Sequence, residues 1–256
     1  MLSNNQIKQL RALHRRKYRQ KYNKFMVEGE KIALEVLRHS SWPILQVYAT
    51  DSWIKTHQES LYAHFKKTLT LTERELKQLS ALSTPSPVLI VSDIPEPSEL
   101  DKELLQESLI LFLDQIQDPG NLGTILRIAD WFGIPYVCLS PGCVDEYNPK
   151  VLQASMGAFL RVKTLNYTLP ELLEQVGDLP VFGTAMKGEN IFSINKPQNG
   201  IIVIGNEGKG ISAELNSIIN QWIHIPSGNS NGAESLNAAV ATGIICATLL
   251  SDRLTS

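Results

Sequence analysis

Near its carboxyl end the chain reads Ile223-His224-Ile225-Pro226-Ser227-Gly228-Asn229-Ser230-Asn231-Gly232-Ala233-Glu234-Ser235-Leu236-Asn237 and then runs without a charge from Ala238 to Leu250. β-branched residues before a proline are typical of a strand, and the Ser, Gly and Asn residues that follow indicate a loop. The alanine-rich run predicts a buried helix over residues 235–252, with Ser235 as a suitable N-cap for its first amides. The order predicted here is strand, loop and buried helix.

Two earlier stretches repeat this order. Residues 109–113 are almost continuously apolar, as expected of a strand buried on both faces, and they lead into a helical pattern over 121–132. Residues 201–205 lead into a glycine-rich loop, after which Ser212 is placed to cap a helix over 213–220. Parallel strands bring their carboxyl-end loops to one edge of a sheet, where open α/β sheets bind ligands. We therefore expect the functional site to lie at that edge.

Alternating strand and helix patterns predict an α/β protein with two domains. The first half contains helices over 4–21, 28–38, 51–65 and 72–79 and strands over 44–49, 68–71 and 88–91. The second contains strands over 109–113, 136–139, 161–165, 181–186, 201–205 and 222–225 and helices over 121–132, 149–157, 169–176, 213–220 and 235–252. Residues 92–99 are polar and proline-rich, which is typical of a boundary. The predicted organisation is a domain over 1–95, a linker over 96–107 and a domain over 108–256.

Composition narrows the class of protein. A chain of 256 residues with 43% hydrophobic content can bury a large core. The longest uncharged run, residues 238–251, is shorter than the ~20 residues of a membrane span, and the amino terminus lacks an apolar signal core. The three cysteines, Cys138, Cys143 and Cys246, are an odd number without metal-type spacing. We expect a cytoplasmic protein without disulfides, metal site or membrane segment.

Charge is concentrated at the amino terminus. Residues 1–24 contain eight lysines and arginines and no acidic residue, although the whole chain carries a formal net charge of −2. The candidate residues of this basic arm for binding a polyanion are Arg11, Arg15, Arg16, Lys17, Arg19 and Lys21. Tyr18, Tyr22 and Phe25 offer stacking surfaces beside them. The arm therefore predicts a polyanionic partner, and a solvated amphipathic helix is the alternative interpretation.

The glycine-rich loop at 205–210 does not match a nucleotide-binding loop. Its glycines have the order G-x-x-G-x-G, which differs from both the dinucleotide fingerprint and the P-loop. Glu207 would also place a negative charge where a pyrophosphate requires free amides. This loop suits a ligand with a positive centre, and it argues against a nucleotide-dependent oxidoreductase.

The second half carries three ordered motifs. They are Asn121-x-Gly123-x-x-x-Arg127, Gly205-x-Glu207-Gly208-x-Gly210, and Ile225-Pro226 followed by Glu234-Ser235-Leu236-Asn237. Together they resemble the three motifs of the SpoU-type (TrmH-like) RNA ribose 2′-O-methyltransferases of the SPOUT class. The resemblance covers residues 109–252. Residues 1–95 are similar, in pattern and length, to the L30e-like substrate-binding domain that precedes this catalytic domain in many members.

The resemblance implies a mostly parallel sheet with a trefoil knot formed by the carboxyl-terminal segment. It also implies S-adenosylmethionine as cofactor, a homodimer, and rRNA or tRNA as substrate, with rRNA favoured. Gly205, Ile225 and Leu236 would bind the cofactor largely through backbone atoms, and glycine would permit that close approach. The reaction centre implied by the motifs consists of Asn121, Arg127, Glu207, Ser235 and Asn237.

The implied reaction is attack by a ribose 2′-oxygen on the sulfonium methyl group, without a metal ion. A guanidinium loses its proton only above about pH 12, which makes Arg127 a poor general base. We therefore expect Arg127 to clamp the adjacent phosphate and stabilise developing charge, while a phosphate oxygen or solvent takes the proton. Ser235 and Asn237 would orient Arg127 or the ribose, and Glu207 would pair with a cation or cap loop amides.

This chain departs from the family at one point. Ser227 stands where a methionine usually follows Ile-Pro, and the loop over 228–233 is slightly long. A non-catalytic RNA-binding protein would share the basic arm and the first domain, but it would not require the four residues Arg127, Glu207, Ser235 and Asn237 together. Asp114, His224 and the other four histidines have no partner at a fixed spacing, so we interpret them as structural or solvated.

Overall fold

A computed structural model describes residues 2–39, 41–96, 100–229 and 234–254. The chain divides into two compact units: Met1–Glu96 with Tyr147–Leu160, and Pro97–Glu146 with Arg161–Ser256. Among the described residues, none of the helices has the length and apolar character needed to cross a bilayer.

The elements follow one another in a mixed α/β order. The helices are α1 (Asn4–Ala12), α2 (Arg16–Tyr22), α3 (Glu30–Arg38), α4 (Asp51–Thr56), α5 (Gln58–Leu61), α6 (Glu73–Leu79), α7 (Lys102–Glu107), α8 (Pro119–Trp131), α9 (Pro149–Ser155), α10 (Leu169–Val176) and α11 (Ala238–Leu254). The strands are β1 (Lys24–Glu28), β2 (Ile44–Ala49), β3 (Thr68–Thr70), β4 (Val88–Asp93), β5 (Leu109–Leu113), β6 (Tyr136–Leu139), β7 (Lys163–Asn166), β8 (Val181–Asn190), β9 (Gly200–Ile204) and β10 (Gln221–His224). Short 3-10 helices lie at Tyr62–Lys67, Ala158–Leu160 and Ala213–Leu215.

The first unit is built on a four-stranded mixed sheet with the order β1-β4-β2-β3. β1 and β2 pair antiparallel with β4, and β3 pairs parallel with β2 as an edge strand. The sequence does not predict β1, because its three apolar residues are too short a run to stand out between the helical patterns on either side. Helices α4 and α5 and the 3-10 helix at 62–67 replace the single helix predicted over 51–65. This unit therefore confirms a small mixed α/β fold.

The predicted arm helix over 4–21 is broken into α1 and α2. The chain turns at Leu13, which is buried, and Arg19 on α2 donates a hydrogen bond from Nη1 to the Leu13 carbonyl at 2.9 Å. Arg19 is only 2% exposed. One predicted surface cation is therefore part of the core, because its guanidinium satisfies the carbonyl freed at the break.

Residues 147–160 pack with the first unit, although the sequence placed them inside a domain over 108–256. Leu152 on α9 is buried in the core that contains Phe25 of β1, and the Phe25 and Tyr147 rings lie 4.5 Å apart between centroids. In the sequence, the helix predicted over 149–157 follows a strand and is typical of an ordinary crossover. The buried contacts of α9 assign this helix to the first unit.

The second unit is a parallel sheet of six strands with the order β10-β8-β9-β5-β6-β7. All five residues of β5 are buried, as its continuous apolar sequence predicted. α7 lies within the predicted linker, yet its Leu105 is fully buried in this core. The predicted helix over 213–220 is a 3-10 turn of three residues, and the Ser212 Oγ, instead of capping it, accepts a hydrogen bond from Gln115.

Candidate active site

Three loops that follow strands meet at the carboxyl edge of the parallel sheet. β5 and β9 are neighbours in register, so the chain beyond Leu113 and the chain beyond Ile204 start side by side. β10 lies further from β5, at the edge of the sheet. The chain beyond β10 returns to the site through α11, which packs on α8. The expected convergence of the three loops is confirmed.

The loop after β9 is a closed turn. Asn206 and Gly210 exchange backbone hydrogen bonds of 3.0 and 2.9 Å, and the Asn206 Oδ1 accepts from the amides of Gly208 and Lys209. Gly210 has a φ of +72°, in the left-handed region that favours glycine. This geometry leaves Glu207 exposed at the tip of the turn.

Gly205 stands at the start of this turn against the protein's own backbone. A Cβ at Gly205 would lie 2.4 Å from the carbonyl carbon of Gly210 and 2.5 Å from the amide nitrogen of Ile211. From the motif alone, this glycine was expected to permit close approach of the cofactor. The structure adds a second reason, which is that the loop cannot close over any larger residue.

The first turn of α8 presents Asn121 towards the same place. Asp118 is the N-cap, since its Oδ1 accepts from the Asn121 amide at 2.8 Å. Asn121 is therefore inside the helix, and its side chain is available for other contacts. Asn121 is only 7% exposed. A buried amide must find partners for both of its ends.

A chain of side-chain hydrogen bonds joins the three loops. Asn237 donates from Nδ2 to the Asn121 Oδ1 at 2.8 Å, and Asn121 donates from Nδ2 to the Glu207 Oε1 at 2.6 Å. The Asn237 Oδ1 accepts from the amides of Ala239 and Val240, so Asn237, and not Ser235, caps α11. Both amide groups are thereby fixed in orientation, and the Glu207 carboxylate is fixed relative to α8 and α11.

Arg127 lies on the same helix as Asn121 but projects to the surface. It is exposed, and within the described residues it makes no hydrogen bond or ion pair. Ser235 and Leu236 are also exposed, whereas Ile225 is half-buried. The structure therefore brings Asn121, Glu207 and Asn237 into contact, and it leaves Arg127 and Ser235 accessible to a substrate.

Ser227, where the chain departs from the family pattern, stabilises a local turn. Its Oγ accepts from the Asn229 amide at 3.2 Å and donates to the Asn229 carbonyl at 2.9 Å. The rest of the predicted long loop, residues 230–233, lies outside the described residues.

A second network, which the sequence did not reveal, holds the Glu207 loop on the sheet. Asp114 accepts from the Ser212 amide at 2.6 Å, Gln115 donates from Nε2 to the Ser212 Oγ at 3.0 Å, and Asn206 donates to the Gln115 carbonyl at 2.8 Å. Gln115 has a φ of +54° and donates its amide to the Ser140 Oγ. Asp114 is structural, as expected. The sequence signal for this network is the pair of polar residues, Asp114 and Gln115, directly after the apolar strand β5.

The three cysteines offer no nucleophile at neutral pH. All are free and buried, and burial raises the pKa of the Cys138 and Cys246 thiols to about 12. Burial also raises the pKa of Cys143. In the part of the chain that the structure describes, there is no group of three or more His, Cys, Asp or Glu residues arranged to hold a metal ion.

Two known protein families match this chain, one in each half of the sequence. Residues 108–247 match the model of the SpoU rRNA Methylase family, and residues 4–89 match the MRM3-like substrate binding domain. One similar protein is the 23S rRNA (guanosine(2553)-2′-O)-methyltransferase RlmP of Bacillus subtilis (strain 168). It is 30% identical over 245 residues, which cover 94% of this chain and 94% of that protein.

Two solved structures are similar over almost the whole chain. A protein from Porphyromonas gingivalis assigned to the TrmH family of RNA methyltransferases has a TM-score of 0.82 and 38% identity, with 97% of this chain and 98% of that chain covered. The AdoMet-bound rRNA methyltransferase from Sinorhizobium meliloti has a TM-score of 0.85, with 98% and 96% covered. At 24% identity the second likeness shows the fold alone.

Proposed function

The chain belongs to the SpoU rRNA methylase family, and we propose that it methylates a ribose 2′-hydroxyl of rRNA with S-adenosylmethionine as methyl donor. The observation that carries this proposal is the hydrogen-bonded chain from Asn237 through Asn121 to Glu207. It connects the three motif loops on the helix that also presents an exposed Arg127. A binding module would not require this arrangement.

The residues at the sheet edge fit the proposed cofactor. The Glu207 carboxylate is exposed beside Gly208 and Gly210, which are also exposed, and Leu236 adds an apolar surface. A carboxylate together with accessible backbone groups suits a cationic ligand better than a polyphosphate. Gly205, Ile225 and Leu236 would hold the cofactor, and its sulfonium supplies an electrophilic methyl group.

The protein's own residues would act on the nucleotide. Arg127 presents a guanidinium at the surface, where it can clamp the phosphate next to the reactive ribose and stabilise charge developing on the 2′-oxygen. Because a guanidinium does not give up its proton near neutral pH, a phosphate oxygen or water takes the hydroxyl proton. Ser235 is exposed and can orient the ribose, while Asn121 and Asn237 hold Glu207 in place.

The purified protein is expected to bind one S-adenosylmethionine per chain and to transfer its methyl group to rRNA from cells that lack this gene. Calorimetry measures the first event and 2′-O-methyl mapping the second. Transfer should persist in EDTA once the RNA has been folded, since the proposed mechanism assigns no step to a metal. Binding of RNA without transfer would favour a non-catalytic RNA-binding protein, and binding of a dinucleotide would favour an oxidoreductase.

The basic arm would hold phosphates of the RNA. Arg11, Arg15, Arg16, Lys17 and Lys21 are exposed, whereas the buried Arg19 is left out of this surface. The rings of Tyr18 and Tyr22 stack 6.1 Å apart, and the Lys21 Nζ lies 5.4 Å from the Tyr22 centroid. The arm thus combines cations with aromatic rings on one short helix.

Neutralising four arm cations, Arg15, Arg16, Lys17 and Lys21, to glutamine is expected to weaken RNA binding and flatten its salt dependence. The log–log slope should fall by roughly 0.7 to 0.9 for each phosphate that the variant no longer neutralises, and cofactor affinity should not change. Point changes are preferable to deletion, because Leu13 packs in the core of this unit. The matched control changes Lys31 and Lys77, two exposed lysines of the same unit, to glutamine. Equal slopes for all three proteins would show that the arm is only a solvated helix.

The homodimer and the trefoil knot implied by the resemblance are part of this proposal. Trp131 on α8 is 81% exposed and Val240 on α11 is 52% exposed, and these two helices pack together. Exposed apolar side chains of this size on adjacent helices suit a second copy of the chain. The cytoplasmic location likewise stays a prediction.

A further inference from the structure

Two aromatic rings stand exposed on the first unit, outside the basic arm. Tyr62 is 89% exposed and Phe65 is 69% exposed, and both lie in the 3-10 helix Tyr62–Lys67. Residues three apart on a 3-10 helix lie on the same side, so the two rings share one face. We call this surface, formed by Tyr62, Phe65 and Lys66, the aromatic platform.

Among the described residues, neither ring has a partner inside the protein. Tyr62 and Phe65 take part in no stacked or edge-on ring contact there, and the Tyr62 hydroxyl makes no hydrogen bond. Exposed aromatic side chains leave apolar area in contact with water, and burial of that area stabilises a complex by about 25 cal/mol for each Å². Such residues are therefore candidates for contact with a partner.

The backbone beneath the platform is firmly held. Leu61, which precedes it, is buried in the core. At its other end the Lys67 Nζ donates to the Ile44 carbonyl at 2.6 Å, and the Gln46 side chain donates to the Lys67 carbonyl. The Thr68 hydroxyl closes the turn on the His64 carbonyl at 2.9 Å. Because the platform is fixed to β2 at one end and to the core at the other, its backbone loses little conformational entropy on binding.

The charge around the rings suits a nucleic acid. The Lys66 side chain is exposed next to Phe65 and makes no hydrogen bond or ion pair among the described residues, and His64, between the two rings in sequence, is half-buried. Glu59, one helical turn before Tyr62, is also exposed, whereas two lysines, Lys66 and Lys67, directly follow Phe65. Rings that lie beside an exposed ammonium group match single-stranded RNA, in which bases stack on rings and phosphates meet cations.

We propose that the aromatic platform is a second RNA contact, at which Tyr62 and Phe65 stack unpaired bases of the substrate and Lys66 meets the adjoining phosphate. This rests on the proposed function, because it names where the same RNA is held outside the reaction centre. It is distinct from the basic arm in its chemistry. The arm contributes mainly salt-dependent affinity, and the platform contributes stacking, which salt screens little.

The test compares three full-length proteins on rRNA extracted from cells that lack this gene. The double variant Tyr62→Leu with Phe65→Leu keeps apolar volume but removes both rings. The double variant Tyr62→Phe with Phe65→Tyr keeps both rings. For the leucine variant, RNA affinity should fall by about 5-fold to 150-fold for each ring that holds a base, with the salt slope unchanged. The ring-preserving variant should bind like the wild type.

Kinetics and crosslinking give independent readouts. The leucine variant should raise the KM for rRNA while kcat at saturating RNA and S-adenosylmethionine affinity stay at wild-type values. Ultraviolet irradiation of the wild-type complex should leave nucleotide adducts on the peptide that contains residues 62–65. Wild-type affinity and KM in the leucine variant would overturn the platform, as would a loss of self-association in sedimentation with RNA affinity unchanged. Failure of the wild type itself to methylate this rRNA would instead count against the proposed function.

Discussion

Replacing Arg127 by alanine is expected to slow methyl transfer by a factor of about 10² to 10³, while S-adenosylmethionine binding and folding remain as in the wild type. The side chain is exposed and makes no bond within the described residues, so its removal should change stability by no more than about 0.5 kcal/mol. Removing one preorganised group that stabilises transition-state charge typically costs a factor of about 10² to 10³. Single-turnover methylation at saturating RNA and cofactor measures this step directly.

Two further changes on α8 sharpen the interpretation. Arg127→Lys keeps the charge but loses the two-pronged geometry, so it should recover only part of the activity. Thr124→Ala, at an exposed site on the same helix, should leave transfer unchanged and controls for disturbance of the helix. The assignment would fail if Arg127→Ala lost cofactor affinity in the same proportion as activity, or if it methylated rRNA at the wild-type rate.

Replacing Gly205 by alanine should eliminate cofactor binding and lower the unfolding temperature. The added Cβ would approach the carbonyl carbon of Gly210 to 2.4 Å and the amide nitrogen of Ile211 to 2.5 Å, far inside van der Waals contact. Both obstacles are backbone atoms, so a change of side-chain rotamer cannot make room. The loop must therefore open, which would displace Glu207 and break its hydrogen bond to Asn121.

Gly208, three residues along the same loop, provides the matched control. A Cβ there would have its nearest neighbour at 3.8 Å, the Asn206 Oδ1, so Gly208→Ala should preserve the fold. Calorimetry with S-adenosylmethionine and thermal unfolding should separate the two variants clearly. If Gly205→Ala bound cofactor and melted like Gly208→Ala, the tight approach of Gly205 to Gly210 would not control the geometry of the loop.

The six parallel strands of the second unit, and the edge at which the loops after them meet, follow from the sequence alone. Strands such as residues 109–113 can be predicted because burial on both faces requires an uninterrupted hydrophobic run. Helix α10 covers the predicted residues 169–176, and a capping box of Thr168 and Glu171 marks its start. These are local signals, carried by residues a few positions apart.

Side-chain partners in the site depended on contacts between residues far apart in the chain. Asn121 and Asn237 are 116 positions apart, and Asn121 and Glu207 are 86 apart, so no local pattern shows that the three form one hydrogen-bonded chain. The cap of α11 differs from the predicted Ser235, because the helix begins at Ala238 and the side chain of the preceding residue, Asn237, accepts from its first amides. Asp118 and Asn237 occupy the N-cap positions, and Asn121 is available to join the loops.

Burial separated residues of the same type that the sequence could not distinguish. Arg19 and its neighbours in the arm were all predicted as surface cations, but the break between α1 and α2 frees a carbonyl that Arg19 reaches. Gly205 and Gly208 are both glycines of the same motif. Gly205 lies against the backbone of Gly210 and Ile211, whereas Gly208 has room for a Cβ. Charge and residue type can be read from the sequence. The spatial neighbours of each residue determine which contacts it makes, and they are set only when the chain folds.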